Sequence, residues 1–316
     1  MSQSARPIVC VGGANVDKKL YAKNEIVPGT SNPVSSSTSV GGVARNIAEN
    51  LGRIGEEVVL LTTKGNDAEW LAIDKECSHY VNLDYVFEIP DASTGSYTAV
   101  LESDGNLSCA YADMDVFDEL TKEKITGELP VLEKAACIIA DLNCPAETVK
   151  FLQSFALENG IPFVIIPVSS PKMDRLPSDL TGVEWLIVNQ DETETTLGTK
   201  IDTDEDWEES VYRWMDKGAA HVIVTGGERG VMAGGEKGVY FFPSLETRVT
   251  DVTGAGDSFC AAVVYSWLQK ESFRKSLQAG LVNARKTIMS NTTVRQDLSE
   301  EQLKQDREEF FNGTVS

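Results

Sequence analysis

The chain has 316 residues, 41% of them hydrophobic, and a formal net charge of −21 at pH 7. That charge, with no basic run anywhere, excludes a nucleic-acid surface, which needs clustered Lys and Arg. No apolar run approaches the roughly 20 residues that cross a bilayer, and the two histidines, His79 and His221, have no partner at ligand spacing, against a zinc site or a Ser-His-Asp hydrolase.

The six cysteines are scattered without a C-x-x-C pair, several in apolar runs, so reduced buried thiols and a cytoplasmic protein are expected. Residues 1–7 lack the charged-then-apolar pattern of a signal peptide. One domain over residues 1–316 is expected.

In chain order, strands are expected at residues 8–12, 58–62, 137–141, 163–167, 185–189 and 222–226, alternating with helical stretches. Nearly all are continuously apolar, as suits strands buried on both faces of a parallel sheet. Just after the first, Asn15-Val16-Asp17 offers a carboxylate able to accept two hydrogen bonds from vicinal hydroxyls, unless Asp17 is a plain turn residue. A β-rich insert is expected within residues 18–40. Gly41-Gly42-Val43-Ala44-Arg45-Asn46 then opens a helix whose apolar stripe is Val43, Ile47, Leu51 and Ile54. The glycines permit close approach of a ligand, with Asn46 one turn in. Residues 96–111 read as two strands about Asp104-Gly105, a hairpin signal. Antiparallel inserts at residues 18–40 and 86–113 suggest a small β-sheet lid over the mouth of the main sheet. Its exposed apolar face would pack on substrate or on a second subunit.

Further along, Asn189-Gln190-Asp191-Glu192 closes a strand. Its carboxamide and carboxylate suit a hydrated magnesium ion, and equally an acidic helix N-terminus. Thr225-Gly226-Gly227-Glu228-Arg229-Gly230 follows another strand, with glycines that pass beneath a nucleotide or simply turn the chain. A β-branched approach over residues 247–252 then reaches Thr253-Gly254-Ala255-Gly256-Asp257, and an apolar helix begins with Phe259, Val263 and Trp267. Such a loop presents unpaired N–H groups and the positive end of the helix dipole to an anion. Asp257 at that mouth repels a phosphate, which makes sense if it takes the proton of a hydroxyl beside the phosphate; the pair points to phosphoryl transfer to an alcohol. A capping aspartate after a glycine turn is the plainer alternative. Residues 299–311 look like a charged surface helix. No Gly-x-x-x-x-Gly-Lys-Ser/Thr is present and no Gly-x-Gly-x-x-Gly follows the first strand, against a P-loop protein and a dinucleotide dehydrogenase.

Taken in order, Asn-x-Asp near 15, Gly-Gly near 41, Asn-x-x-Glu near 190, Thr-Gly-x-x-x-Gly near 225 and Asp251-Val-Thr-Gly-Ala-Gly-Asp257 resemble the ribokinase (PfkB) family of carbohydrate and nucleoside kinases. The resemblance runs from about residue 9 to about residue 298. Within the family, Gly41–Asn46, the hairpin end at Asp113-Met114, Ala140-Asp141-Leu142-Asn143 and Pro167-Val168-Ser169 are most similar to pseudouridine kinases.

The resemblance implies a ribokinase-like parallel sheet flanked by helices, a lid, ATP, magnesium, a nucleoside acceptor and a homodimer joined through the lid. It makes Asp257 the base for a 5′-hydroxyl and gives the N–H groups of Gly254, Ala255 and Gly256 to the transferring phosphoryl. Asn15, Asp17, Gly41, Gly42 and Asn46 would hold ribose, with Asn143 as a further candidate and Ser96 facing the base. Asn189 and Glu192 would organise magnesium and phosphates, Thr225, Gly227 and Gly230 would line the ATP site, and Asp251 with Thr253 would hold a potassium ion. Two departures stand out: Val252 replaces a commoner Thr, and Ile166 stands where relatives often carry an acidic residue. The same motifs suit an adenosine, uridine or ribose kinase, or a catalytically silent sensor on the same fold.

Overall fold

The computed structural model describes residues 6–311; residues 1–5, most of the stretch read for a leader signal, and residues 312–316 lie outside it. The strands are β1 (Ile8–Val11), β2 (Asn15–Ala22), β3 (Val34–Gly41), β4 (Val58–Leu61), β5 (Thr63–Lys64), β6 (Phe87–Glu88), β7 (Ser96–Leu101), β8 (Leu107–Asp113), β9 (Cys137–Asp141), β10 (Phe163–Ile166), β11 (Val183–Asn189), β12 (His221–Thr225), β13 (Val231–Gly235) and β14 (Gly238–Phe242). The helices are α1 (Val43–Ile54), α2 (Ala68–Cys77), α3 (Lys122–Gly127), α4 (Leu129–Leu132), α5 (Ala146–Asn159), α6 (Gln190–Leu197), α7 (Asp204–Met215), α8 (Ala255–Leu268), α9 (Phe273–Ile288) and α10 (Glu300–Phe311).

The main sheet runs β14-β13-β12-β11-β10-β9-β1-β4, with β4, β1 and β9 to β12 parallel. Every residue of β1, β4, β9 and β10 is buried, which is why these strands read as unbroken apolar runs. Both faces are covered. Ala44, Ile47 and Leu51 of α1 join Phe259 and Val263 of α8 and Leu277 of α9 on one side. Val149, Leu152 and Ala156 of α5 join Trp207, Val211 and Trp214 of α7 on the other. The C-terminal helix α10 sets Leu303 against Ile54, Ala262 and Ala279. Among the described residues no helix is long and apolar enough to cross a membrane.

A separate four-stranded sheet has the order β3-β2-β7-β8. Only residues 12–14 separate β1 from β2, so this second sheet grows directly out of the carboxyl end of β1, the strand next to the β4 edge. The chain then returns to β4 on one flank of β1, while β9 lies on the other. Such a reversal opens a crevice at the strand ends, where α/β sheets bind ligands.

Two segments differ from the sequence reading, and a third settles the conformation of the approach to residue 253. Residues 86–95 do not join the second sheet; β6 pairs instead with β5 in a small sheet of their own. The β-branched stretch 247–252 is not a strand, since its donors at Thr250 and Asp251 both go to the Ile288 carbonyl at 2.8 and 3.3 Å. Finally, β13 and β14 form an antiparallel edge hairpin on β12. Its glycines hid it: Gly234 lies where a side chain would run into Val211 and Met215 of α7.

Candidate active site

The N-terminus of α8 is the centre of the site. Its cap, Gly254, has φ +80°, and a Cβ there would collide with the Thr293 backbone carbonyl, so only glycine closes this turn. The Ala255 N–H donates to the Val252 carbonyl at 3.2 Å and is thereby spent. Among the described residues the N–H groups of Gly254, Gly256 and Asp257 have no partner, so the helix keeps three donors aimed at its mouth.

Asp257 sits in the first turn of α8. Burial pushes its carboxyl up to about 7, with Asp141 and Asp17 adding repulsion; the Asn46 hydrogen bond and Arg45 oppose the rise without cancelling it. The bond runs from Asn46 Nδ2 to Asp257 Oδ2 at 2.6 Å. The direction of that amide is set from behind, because the Arg45 guanidinium donates to Asn46 Oδ1 and leaves only Nδ2 to face the carboxylate. Arg45 is fully buried and also donates to the carbonyls of Gly41 (3.2 Å) and Val40 (2.7 Å), to Thr293 Oγ1 (3.0 Å) and to Glu49.

Gly42 caps α1 with φ +98°, and a Cβ there would strike the Gly13 carbonyl and approach Ala14 Cα to 2.7 Å. A Gly42→Ala variant therefore carries a left-handed backbone penalty of roughly 1–2 kcal/mol plus the overlap. It should lower the thermal midpoint by several degrees and weaken acceptor binding at least tenfold, read by scanning calorimetry and isothermal titration. Unchanged binding would show that the α1 entry does not line the acceptor pocket.

The second sheet supplies the facing wall. Register pairs Asn15 with Gly41 and Asp17 with Ser39, placing the two polar side chains of β2 over the α1 entry. Asn15 Nδ2 donates to Asp17 Oδ1 at 2.7 Å. Burial raises the Asp17 carboxyl above its usual range, against the Asn15 bond and the charges of Arg45 and Lys19. Ser96 opens β7 beside Val16, half-buried. Asn143 is buried next to Asp141, a carboxylate the sequence reading left without a role. Asp141 accepts from the N–H groups of Gly13 (2.9 Å), Ala44 (3.0 Å) and Asn143 (2.8 Å), tying the β1 end, the α1 start and the β9 end together. Burial raises its carboxyl despite those bonds.

Asn189 and Glu192 are engaged with each other. Asn189 Oδ1 accepts from the Glu192 N–H and Glu192 Oε2 from the Asn189 N–H, both at 2.8 Å, forming a capping box on α6. Glu192 is buried, and its carboxyl is pushed up to about 7. These bonds form the acidic helix start that the sequence also allows. Thr225 ends β12, and Gly227 and Gly230 belong to the tight turn into β13, where Gly226 N–H meets the Gly230 carbonyl at 2.8 Å. Space beyond Gly227 and Gly256 is open, with nothing within 4 Å of a built Cβ. Asp251, read as a potassium ligand with Thr253, already carries a cation: Lys19 Nζ lies 2.7 Å from its Oδ2, while its Oδ1 takes the Thr253 N–H and hydroxyl at 2.9 and 2.6 Å. Ile166 is simply buried in the core.

Thus Asn15, Asp17, Gly41, Gly42, Asn46, Asn143, Asp251 and Asp257 converge at one mouth. Arg45, Asp141, Thr293 and Lys19 join them unannounced; Arg45 stood inside the Gly-Gly motif, but its partners come from elsewhere in the chain.

An anion-holding helix start, an adjacent carboxyl that titrates near neutrality and a polar pocket at the switch of a parallel sheet define a phosphotransferase acting on a hydroxyl. The chain belongs to the pfkB family of carbohydrate kinases, whose model matches residues 5–297, and it is therefore an ATP-dependent kinase with a hydroxyl acceptor. It is 27% identical over 296 residues to the pseudouridine kinase of Escherichia coli K12, covering 92% of this chain and 93% of that protein. It is 30% identical over 270 residues to the uncharacterized sugar kinase YeiI of the same organism, covering 85% and 74%. Ribokinase of Arabidopsis thaliana, solved with ribose and ATP, superimposes with a TM-score of 0.81 over 96% of this chain and 99% of its own at 19% identity, which shows the shared fold.

Proposed function

We propose that this kinase phosphorylates the 5′-hydroxyl of pseudouridine, with Asp257 as the base. The observation that carries the reading is the Asp257 carboxyl, pushed up to about 7 and held by Asn46 at 2.6 Å beside unpartnered helix N–H groups. A carboxyl that titrates near the working pH can take the acceptor's proton as the new bond forms. The N–H groups of Gly254, Gly256 and Asp257 then meet the charge spread over the transferring phosphoryl. Asn15, Asp17, Gly41, Gly42 and Asn46 hold the ribose hydroxyls, with Asn143 behind them and Ser96 toward the base.

ATP would pass over Gly227 and Gly256, where nothing lies within 4 Å of the position a Cβ would take. Magnesium fits as an ion carried mostly by phosphate and water, with Glu192 reaching it through water, because Glu192 keeps one oxygen on its helix cap. The four-stranded sheet acts as the lid. Leu107 and Tyr111 of β8 are 58% and 67% exposed, an apolar outer surface that a second copy of the chain would cover.

Pseudouridine is favoured among acceptors by the Gly41–Asn46 wording and by the relatedness to a pseudouridine kinase. Adenosine, uridine and ribose are the alternatives, and the lid decides between them. A silent sensor is disfavoured, since a binding protein gains nothing from a carboxylate beside a terminal phosphate. The test is ATP consumption with magnesium and potassium on all four acceptors. The highest kcat/KM is expected for pseudouridine; turnover of another acceptor alone would discard the substrate and keep the base and anion loop.

A further inference from the structure

The strand that carries the acceptor-holding pair carries a basic side chain on the same face. Asn15, Asp17 and Lys19 alternate along β2, so Lys19 leaves the strand one repeat, roughly 6–7 Å, beyond Asp17. It crosses from the lid to the main domain, with Nζ 2.7 Å from Asp251 Oδ2, three residues before Gly254. Asp17, Asp251 and Asp257 are offset here by two cations, Arg45 and Lys19. Arg45 is fully buried, its charge opposed by Glu49 and its N–H groups given to Gly41, Val40, Asn46 and Thr293. Lys19 is about one-third exposed and uses one of its three N–H bonds on Asp251. In a chain of net charge −21, it is an ammonium with donors to spare, paired to a residue three positions before the cap of α8.

We propose that Lys19 is a catalytic residue that donates to the phosphoryl group during transfer, delivered by the lid strand that grips the acceptor. In that step the acceptor oxygen bonds to the terminal phosphorus as Asp257 takes its proton. The bond from that phosphorus to the bridging oxygen breaks, and its electron pair leaves with ADP. Lys19 stays an ammonium throughout and contributes charge, not a proton. Because Asn15, Asp17 and Lys19 share one strand, positive charge arrives together with the acceptor, which also disfavours hydrolysis of ATP when no acceptor is bound. The inference rests on the kinase class and not on the identity of the nucleoside.

The test compares wild type, Lys19→Met and Lys19→Arg on whichever acceptor the wild type turns over best. Expected for Lys19→Met is a fall in kcat of roughly 10²-fold, the size of losing one preorganised donor to a transition state. Acceptor affinity without nucleotide, read by calorimetry, should stay within about twofold, and Lys19→Arg should restore much of the rate, since it keeps the charge. A second readout needs no turnover: affinity for ADP with aluminium fluoride in the presence of acceptor should drop at least tenfold in Lys19→Met, while affinity for ADP alone is unchanged. Unchanged kcat and unchanged aluminium fluoride affinity would overturn the proposal. So would an equal loss in Asp251→Asn, because Lys19 would then act through its ion pair and not on the phosphoryl. Failure of wild type on pseudouridine alone would sink the substrate assignment and leave this comparison intact.

Discussion

Replacing Asp257 with Asn lowers kcat by roughly 10²–10⁴-fold, the usual contribution of a positioned general base, while acceptor affinity changes little. Asn keeps the shape and can still pair with Asn46 after an amide flip, but it cannot accept the hydroxyl proton. The pH dependence follows from the same carboxyl. Only the ionised form is a base, so wild-type kcat/KM should rise with pH and level off above about 7, and this limb should vanish in the Asp257→Asn variant. Stability moves in the opposite sense. The folded carboxyl titrates at about 7 against a reference value of 3.8, so the folded state binds more protons in that window. Wild type therefore loses stability as pH rises from about 4 to about 7. The Asp257→Asn variant lacks that loss and should melt above wild type at pH 8, with the gap closing toward pH 5. A variant both inactive and less stable at pH 8 would mean that the carboxylate supports the fold, contrary to its unfavourable burial.

The parts of this site legible from sequence were those built from consecutive residues. Unbroken apolar runs such as residues 137–141 suited strands covered on both faces, and the glycines around residue 254 suited a helix start open to an anion, with a plain capped turn as the alternative. What stayed hidden depends on partners far along the chain. Asp141 ends an apolar strand like any turn aspartate, and its importance comes from the N–H groups of Gly13 and Ala44, 128 and 97 positions away. Lys19 sits in a polar strand and looks solvated until Asp251 is brought beside it. Asn189 and Glu192 show the converse. Their spacing carried two meanings, and the local one, a capping box, is satisfied within four residues. The hairpin of β13 and β14 escaped notice because Gly234, where a side chain would strike α7, and Gly235, where one would strike His221, erase the alternation that marks a strand.

Arg45 has the largest expected effect on stability. Removing it by Arg45→Met leaves Glu49 fully buried with only Arg53 as counter-charge, at 2.7 Å. It also strips donors from the carbonyls of Val40 and Gly41 and from Thr293. Breaking one side of a buried ion pair costs roughly 3–5 kcal/mol, whereas replacing both sides by apolar residues is often neutral. Arg45→Met should therefore lose about that much in denaturant unfolding, and adding Glu49→Met should recover a good part of it; recovery stays incomplete because Arg53 then keeps only Tyr80 and Gln296. Turnover should not recover with the fold. Without the guanidinium, Asn46 Oδ1 has lost the donor that turns Nδ2 toward Asp257, so the double variant should stay well below wild type in kcat, and its pH limb should shift because the Asn46 bond and the Arg45 charge both hold the Asp257 carboxyl down. Loss of both pushes that carboxyl higher, so the limb should move to higher pH. A double variant with wild-type kcat and an unmoved limb would reduce Arg45 to a packing element and detach the buried network from the chemistry.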